Sequence, residues 1–298
     1  NGPFASTSTS TPPSAAGSTP LTSISELDAL AGDSFTVTTT DSADTSVTVR
    51  NGEVRAYETR VDSETSSARA RLTIDAGGEF TTRSRPLSVA PIWNATVRVE
   101  NGGQLNTGVA TVSENWYHLP HSDGQVVVTG NGSAWNATAV YLGGSEQQSG
   151  GDARLTIADA GAVAINGTLT LWDDAHVSLS GGGTLDVGSI EDRWGSLFWS
   201  TGTLRIRSQT NQLDAGKLLG QHLAIGPGKT LDHRRVLVVG ADPEPGENGS
   251  ASLRVFGDGS VSIGSGASSD HASLGRAGAA EGTLDITGPD ATWLGNVH

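Results

Sequence analysis

Between Ala153 and Val187 the chain reads ARLTIADAGAVAINGTLTLWDDAHVSLSGGGTLDV, and no other stretch restricts its possible folds so tightly. Five apolar triplets recur in it: Leu155-Thr156-Ile157, Val163-Ala164-Ile165, Leu169-Thr170-Leu171, Val177-Ser178-Leu179 and Leu185-Asp186-Val187. In each, two apolar residues flank one small or polar residue, the alternation of a strand with one buried face. Gly161, Asn166-Gly167 and Gly181-Gly182-Gly183 separate the triplets, and these residue types tolerate the positive φ of a turn. A repeat of about 6 to 8 residues is too close for long hairpins and leaves no room for helices. The simplest solution is an all-β coil of short strands. The expected fold is a parallel β-solenoid, right-handed, with about three strands per rung.

The remainder of the chain repeats this design. ARLTIDAGGEF begins at Ala70, its near copy ARLTIADAGAV at Ala153, and a third relative, ASLRVFGDGSV, at Ala251. VVVTGNGSAWNAT from Val126 resembles LDITGPDATWLGN from Leu284, and the Trp93-Asn94-Ala95-Thr96 segment matches Trp135 to Thr138. Such repetition marks a stacked array in which each unit buries its face on the next. Residues 34–298 are therefore expected to form one solenoid domain that ends inside a repeat. Segments Ser113–Gly124, Gly143–Gly151 and Ala241–Gly249 are expected to leave the coil as loops, and Glu191–Arg235 to form a variant set of rungs. Residues 1–20, NGPFASTSTSTPPSAAGSTP, have almost nothing to bury and read as a flexible Ser/Thr/Pro-rich leader. Residues 21–33 follow with capping-box spacing between Ser23 and Glu26, and Leu27 and Leu30 could share one face. This segment predicts a short capping helix over the first rung.

Composition narrows the function classes. Forty glycines against five Phe and three Tyr fit neither a helical bundle nor an α/β domain. The absence of cysteine excludes disulfides, thiolate metal sites and Cys nucleophiles. A net charge of −14 argues against nucleic acid, whose phosphates need a basic surface. No apolar run reaches the length of a membrane span, so no membrane insertion is expected. The first residue is Asn1 rather than Met, as expected of a mature, exported chain.

The segments VTGNGSAWN, LDITGPDATW, ARLTIADAGAV, GGGTLDVGSI and GSLFWSTGTLRI resemble repeats of exported β-helical proteins. These are autotransporter passenger domains, autotransporter-associated strand repeats and the long cell-surface proteins of planctomycete-type bacteria. The resemblance implies a secreted or cell-surface location and a structural or adhesive role, and it implies architecture more than activity.

Several side-chain clusters carry both a chemical and a plainer reading. Asp173-Asp174 with His176 is the most enzyme-like cluster, because polysaccharide-cleaving β-helices place an acid and a water-activating carboxylate on one face. Polygalacturonase-like enzymes resemble this in having an Asp pair and a later Arg-Ile-Lys, matched here by Arg205-Ile206-Arg207. Their Gly-His-Gly and Asn-Thr-Asp elements are missing, and a solvated turn is the simpler reading. Asp232-His233-Arg234-Arg235 reads as a charged loop entering the Val236 strand, with an ion or partner surface as the alternative. His118 and His121 lack a third metal ligand. Asp123-Gly124, Asp258-Gly259 and Asp290 are the places to seek Ca²⁺, although no calcium-binding nonapeptide repeats. Trp93, Trp135 and Trp293 occupy related positions and read as packed indoles along one wall. Trp116-Tyr117-His118, in an irregular loop, is the candidate exposed binding patch. Asn94, Asn131, Asn136, Asn166 and Asn248 match N-glycosylation acceptors, with turn chemistry as the plainer role.

The expectation is a non-enzymatic, exported structural protein, with no cofactor, that self-associates into a fibre, sheath or adhesive surface. A carbohydrate- or surface-binding adhesin module is the alternative, and a polysaccharide-cleaving β-helix the second.

Overall fold

An apolar-x-apolar triplet can bury both outer side chains only if the next strand supplies an apolar floor, so each level depends on its neighbours. The computed structural model describes residues 22–24, 27–28, 34–39, 44–63, 65–82, 86–114, 122–213, 217–239, 251–264, 272–274 and 282–297. They form an all-β parallel solenoid.

The first face is an 8-stranded sheet that runs in order from Thr22–Ile24 to Ser196–Trp199. The middle face belongs to a 14-stranded sheet; three of its strands (Ser34–Thr39, Glu58–Ser63 and Leu87–Val89) stand on the third face, leaving eleven in one ladder from Leu27–Asp28 to Thr292–Leu294. Ten steps of about 4.8 Å make that ladder about 48 Å long. Along that ladder the offset between stacked positions varies from 19 residues, Leu185 to Leu204, to 32, Val261 to Trp293.

All ten apolar side chains of the five triplets are buried to 2 % exposure or less. Along the middle face Phe80, Leu105, Trp135, Val163, Leu185, Leu204, Leu231 and Val261 stack in one column. On the first face Leu72, Val97, Val126 and Leu155 do the same. The two closest sequence copies, at Ala70 and Ala153, therefore occupy the same register. Triplets Val163–Ile165 and Leu169–Leu171, expected as separate strands, fuse into the single strand Ala162–Leu171. Asn166-Gly167 is a bulge inside it, where the register shifts between Ile165 and Thr168. A Cβ at Gly167 would lie 2.7 Å from the Thr138 carbonyl oxygen, which explains the glycine.

The capping helix is corrected. Within 21–33 the described residues are strand: Thr22–Ile24 pairs with Val47–Val49 and Leu27–Asp28 with Val54–Arg55. A helix of a few turns is marginal by itself, and the open ladder of the next level offers its backbone better hydrogen bonds. The leader, residues 1–20, lies outside the described residues. Within the irregular stretch the first-face ladder ends at Ser196–Trp199 and a separate 3-stranded sheet starts at His222–Ile225, while the middle face continues unbroken from Gly202–Ile206 to Lys229–His233.

The corners between first and middle faces are held by close approach and by a clamp. At Gly161 a Cβ would meet the Val128 carbonyl oxygen at 2.5 Å. Gly161→Ala is expected to cost about 1–3 kcal/mol by overpacking. Gly182→Ala, where only the φ of +73° is at issue and the space is open, is expected to cost about 1 kcal/mol. Urea midpoints of the two variants check this ranking. The level below carries Ser133 where this one carries Gly161, and its hydroxyl accepts from Gly102 N, a contact alanine cannot make.

Asp75 ties three levels together. Its carboxylate accepts from Asn101 Nδ2 at 2.9 Å and from the Arg50 guanidinium. These bonds, Asn101 first and then Arg50, hold its pKa below the ordinary 3.8. A depressed folded-state pKa contributes stability above the unfolded value and loses it as pH falls through the folded one. Wild type should therefore lose stability as pH drops below about 4, and Asp75→Asn should show a shallower acid limb in unfolding experiments.

Candidate functional site

Alternate residues of each first-face strand point outward, and stacking turns them into columns. One column runs Ser46, Arg71, Thr96, Gln125, Arg154, His176 and Ser196; the next runs Thr48, Thr73, Arg98, Val127, Thr156, Ser178 and Phe198. Over the N-terminal levels these columns floor a shallow depression of about 670 Å³ whose walls include Arg50, Arg69, Arg71 and Arg98. Three of these guanidiniums meet carboxylates: Arg50 on Asp75, Arg98 on Glu100, and Arg69 on Asp123 at 2.6 Å. Arg71 and Arg154 are exposed. The result is a hydroxyl- and guanidinium-lined strip in an acidic protein, repeating at the strand spacing. Its chemistry suits hydrogen bonding to an extended polar polymer.

The enzyme-like cluster does not assemble with its suggested partner. Asp173 and Asp174 are exposed at the turn before the first-face strand Ala175–Leu179, and His176 Nδ1 lies 2.6 Å from Ser196 Oγ. Arg205 sits on the middle face, between Asp186 and Asp232 in one column. It pairs with both, and Arg207 joins Asp186 at 2.9 Å. These carboxylates, Asp232 first, raise the Arg205 pKa above its ordinary value.

The segment from Asp232 is corrected: Asp232-His233 completes the middle-face strand Lys229–His233 rather than opening a loop. His233 is buried, with Nδ1 3.1 Å from the Arg235 carbonyl oxygen, while Asp232 faces outward to Arg205 and Arg234.

The tryptophans divide. Trp135 and Trp293 share the middle-face column, and Trp135 is fully buried with Nε1 donating to Thr107 Oγ1 at 3.0 Å. Trp93 precedes the first-face strand Asn94–Glu100, so its sequence match to Trp135 places it on another face. The binding patch Trp116-Tyr117-His118, and His121 with it, lies outside the described residues.

Asp123 is held by Arg69, and Asp258 Oδ1 accepts from Gly228 N at 2.8 Å. Among the described residues no group of three or more His, Cys, Asp or Glu could hold a metal ion. Asn94 Nδ2 donates to the Ser66 carbonyl, and Asn136 Nδ2 donates to Asn106 Oδ1 across adjacent levels. Asn136 is thus a strand residue rather than a turn residue, Asn166 lies in the bulge, and Asn248 lies outside the described residues.

The sequence reading missed Trp194, an exposed indole at the turn before Ser196–Trp199. The only hint was its place in the irregular segment, flanked by Arg193 and Gly195.

The geometry defines a parallel β-solenoid with a polar ladder on its first face. No family model matches the chain, and no curated protein matches it. Among solved structures, the TibC-catalyzed hyper-glycosylated TibA55-350 fragment aligns over 91% of this chain and 97% of that chain, with 13% identity and a TM-score of 0.19. At that score the fold rests on the strand ladders alone.

Proposed function

We propose that this chain is an exported, non-enzymatic building block of an extracellular fibre, sheath or adhesive surface at the bacterial cell surface. The observation that carries the reading is the middle-face ladder, in which eleven parallel strands follow one another without interruption over an apolar column that is buried from Val54 to Val261. Such a rod resists bending because deforming it breaks hydrogen bonds and core contacts at every level together. Parallel ladders also extend by strand addition, the route by which copies would join. The separation of Asp173-Asp174 from Arg205 supports a non-catalytic reading, since a polysaccharide-cleaving site needs its carboxylates and its basic residues positioned on one substrate. The resemblance of the repeats to exported β-helical surface proteins supports the location.

Electron microscopy of the purified chain at micromolar concentration, with calcium and with chelator, tests this reading. Regular filaments with a subunit repeat near the ladder length are expected. Isolated short rods in both conditions would overturn self-assembly and favour the second reading, a carbohydrate- or surface-binding module. That alternative draws on the hydroxyl- and guanidinium-lined strip of the first face.

A further inference from the structure

At the corner where the third face returns to the first, an indole stands in solvent without a structural reason. Trp194 is 82 % exposed and holds a φ of +78°, a left-handed conformation that costs a bulky residue free energy. Glycine or asparagine would occupy that turn without the strain. The turn is fixed from both sides: Trp194 N donates to Asp192 Oδ1 at 3.1 Å, and a Cβ at Gly195 would lie 2.5 Å from Leu171 Cβ and 3.0 Å from the Trp172 carbonyl oxygen.

The ground beside it is rigid. Trp172 Nε1 donates to the Ser145 carbonyl at 2.9 Å, tying it to the excursion Gly143–Gly151. That excursion is itself closed by a Gly144–Ser149 bridge. The Arg193 guanidinium lies 4.3 Å from the Trp172 ring centroid, bonds Glu191, and donates to the Glu146 carbonyl at 3.2 Å. One face of Trp172 is therefore covered, whereas Trp194 has no such cover. Arg193 joins the Trp194 turn to that excursion, whose Glu146 and Gln147 are exposed hydrogen-bonding groups with Gln147 Nε2 3.2 Å from Glu146 Oε2. Nearby, burial and then the charge of Glu146 push the Tyr141 phenol above its ordinary 10.0, as expected of an acidic corner.

We infer that the corner formed by Trp194, Asp192 and the Glu146-Gln147 turn is a binding site for a neutral carbohydrate chain. The apolar C–H face of a pyranose ring stacks on the free indole, while its hydroxyls meet carboxylate and amide groups that both accept and donate. Glu146, Glu191 and Asp192 outnumber Arg193, which is already engaged, so the site disfavours uronate and sulfate polymers. A protein partner needs about 800 Å² on its side of the contact, and one indole rimmed by charges does not supply an apolar patch of that kind. The site stands on a single chain, so it does not depend on polymerisation.

Affinity electrophoresis of the full chain through gels containing mannan, xylan or mixed-linkage β-glucan tests the site, with polygalacturonate as the acidic comparison. At least one neutral polymer should retard the wild type, and Trp194→Ala should weaken that retardation at least 10-fold. Leu294→Ala, at an exposed apolar residue on the middle-face strand Thr292–Leu294, should leave it unchanged. Trp194→Gly should also lose binding while its urea midpoint stays level or rises, because the strained turn is relieved. The inference is overturned by retardation in polygalacturonate alone, by no retardation in any neutral polymer, or by equal retardation of wild type and Trp194→Ala. It is also overturned if Trp194→Ala abolishes self-association in sedimentation while sugar binding is absent, which would assign the indole to a contact between copies.

Discussion

Trp135→Ala is expected to lower the unfolding free energy by about 3–5 kcal/mol, the range for emptying a buried aromatic site. Trp135 has no exposed surface, sits between Leu105 and Val163 in the middle-face column, and bonds Thr107 through its indole nitrogen. Alanine would leave a cavity between two levels and take from Thr107 Oγ1 the donor it accepts from. Because each level contacts only its neighbours, the damage should concentrate there. Hydrogen exchange should accelerate most along Gln104–Val112 and Ala162–Leu171, and urea unfolding should give the magnitude. Trp135→Phe keeps much of the volume but abandons Thr107, and should cost about 1–2 kcal/mol. A loss below about 1 kcal/mol for alanine would contradict the packed column.

Asp62→Ala should be the next most damaging change, at about 2–4 kcal/mol. Its side chain is fully buried at the end of the third-face strand Glu58–Ser63. Oδ1 accepts from the backbone amides of Ile92 and Trp93 at 3.3 and 3.2 Å, and Oδ2 meets Arg60 at 2.5 Å. One carboxylate thus holds the corner of the next level and balances a guanidinium on its own. Asp62→Asn keeps an acceptor for the two amides and should recover about half the loss. If the two variants unfold at the same urea concentration, the backbone amides are not what Asp62 serves.

Legibility followed the range of the physics. The triplets announced their burial because alternation over three residues is a local signal, and the copies at Ala70 and Ala153 announced stacking because each must meet an equivalent neighbour. Asn166-Gly167 was legible as a departure from regular strand, but whether the chain turned fully or bulged depended on hydrogen bonds to the levels either side. The segment at 21–33 carried capping-box spacing, yet its described residues joined the ladder because a ready-made sheet edge outweighs a marginal helix. Trp93 and Trp135 share a four-residue motif and stand on different faces, since the face is assigned by the chain's winding and not by the motif. Asp62 gave no signal of the corner it holds, as the amides it accepts from lie about 30 residues on.

The sequence alone determined that this chain buries short alternating strands, turns at small residues, repeats itself, and carries neither cysteine chemistry nor a basic surface. These follow from side-chain size, polarity and local backbone freedom, which neighbours in sequence are enough to specify. Tertiary structure alone decided which corner Asp62 locks, how the first-face ladder breaks while the middle face runs on, and that Trp194 is left in solvent beside a covered Trp172. Those outcomes arise from contacts between levels about 20 to 30 residues apart, where register and winding, rather than any local preference, choose the partners.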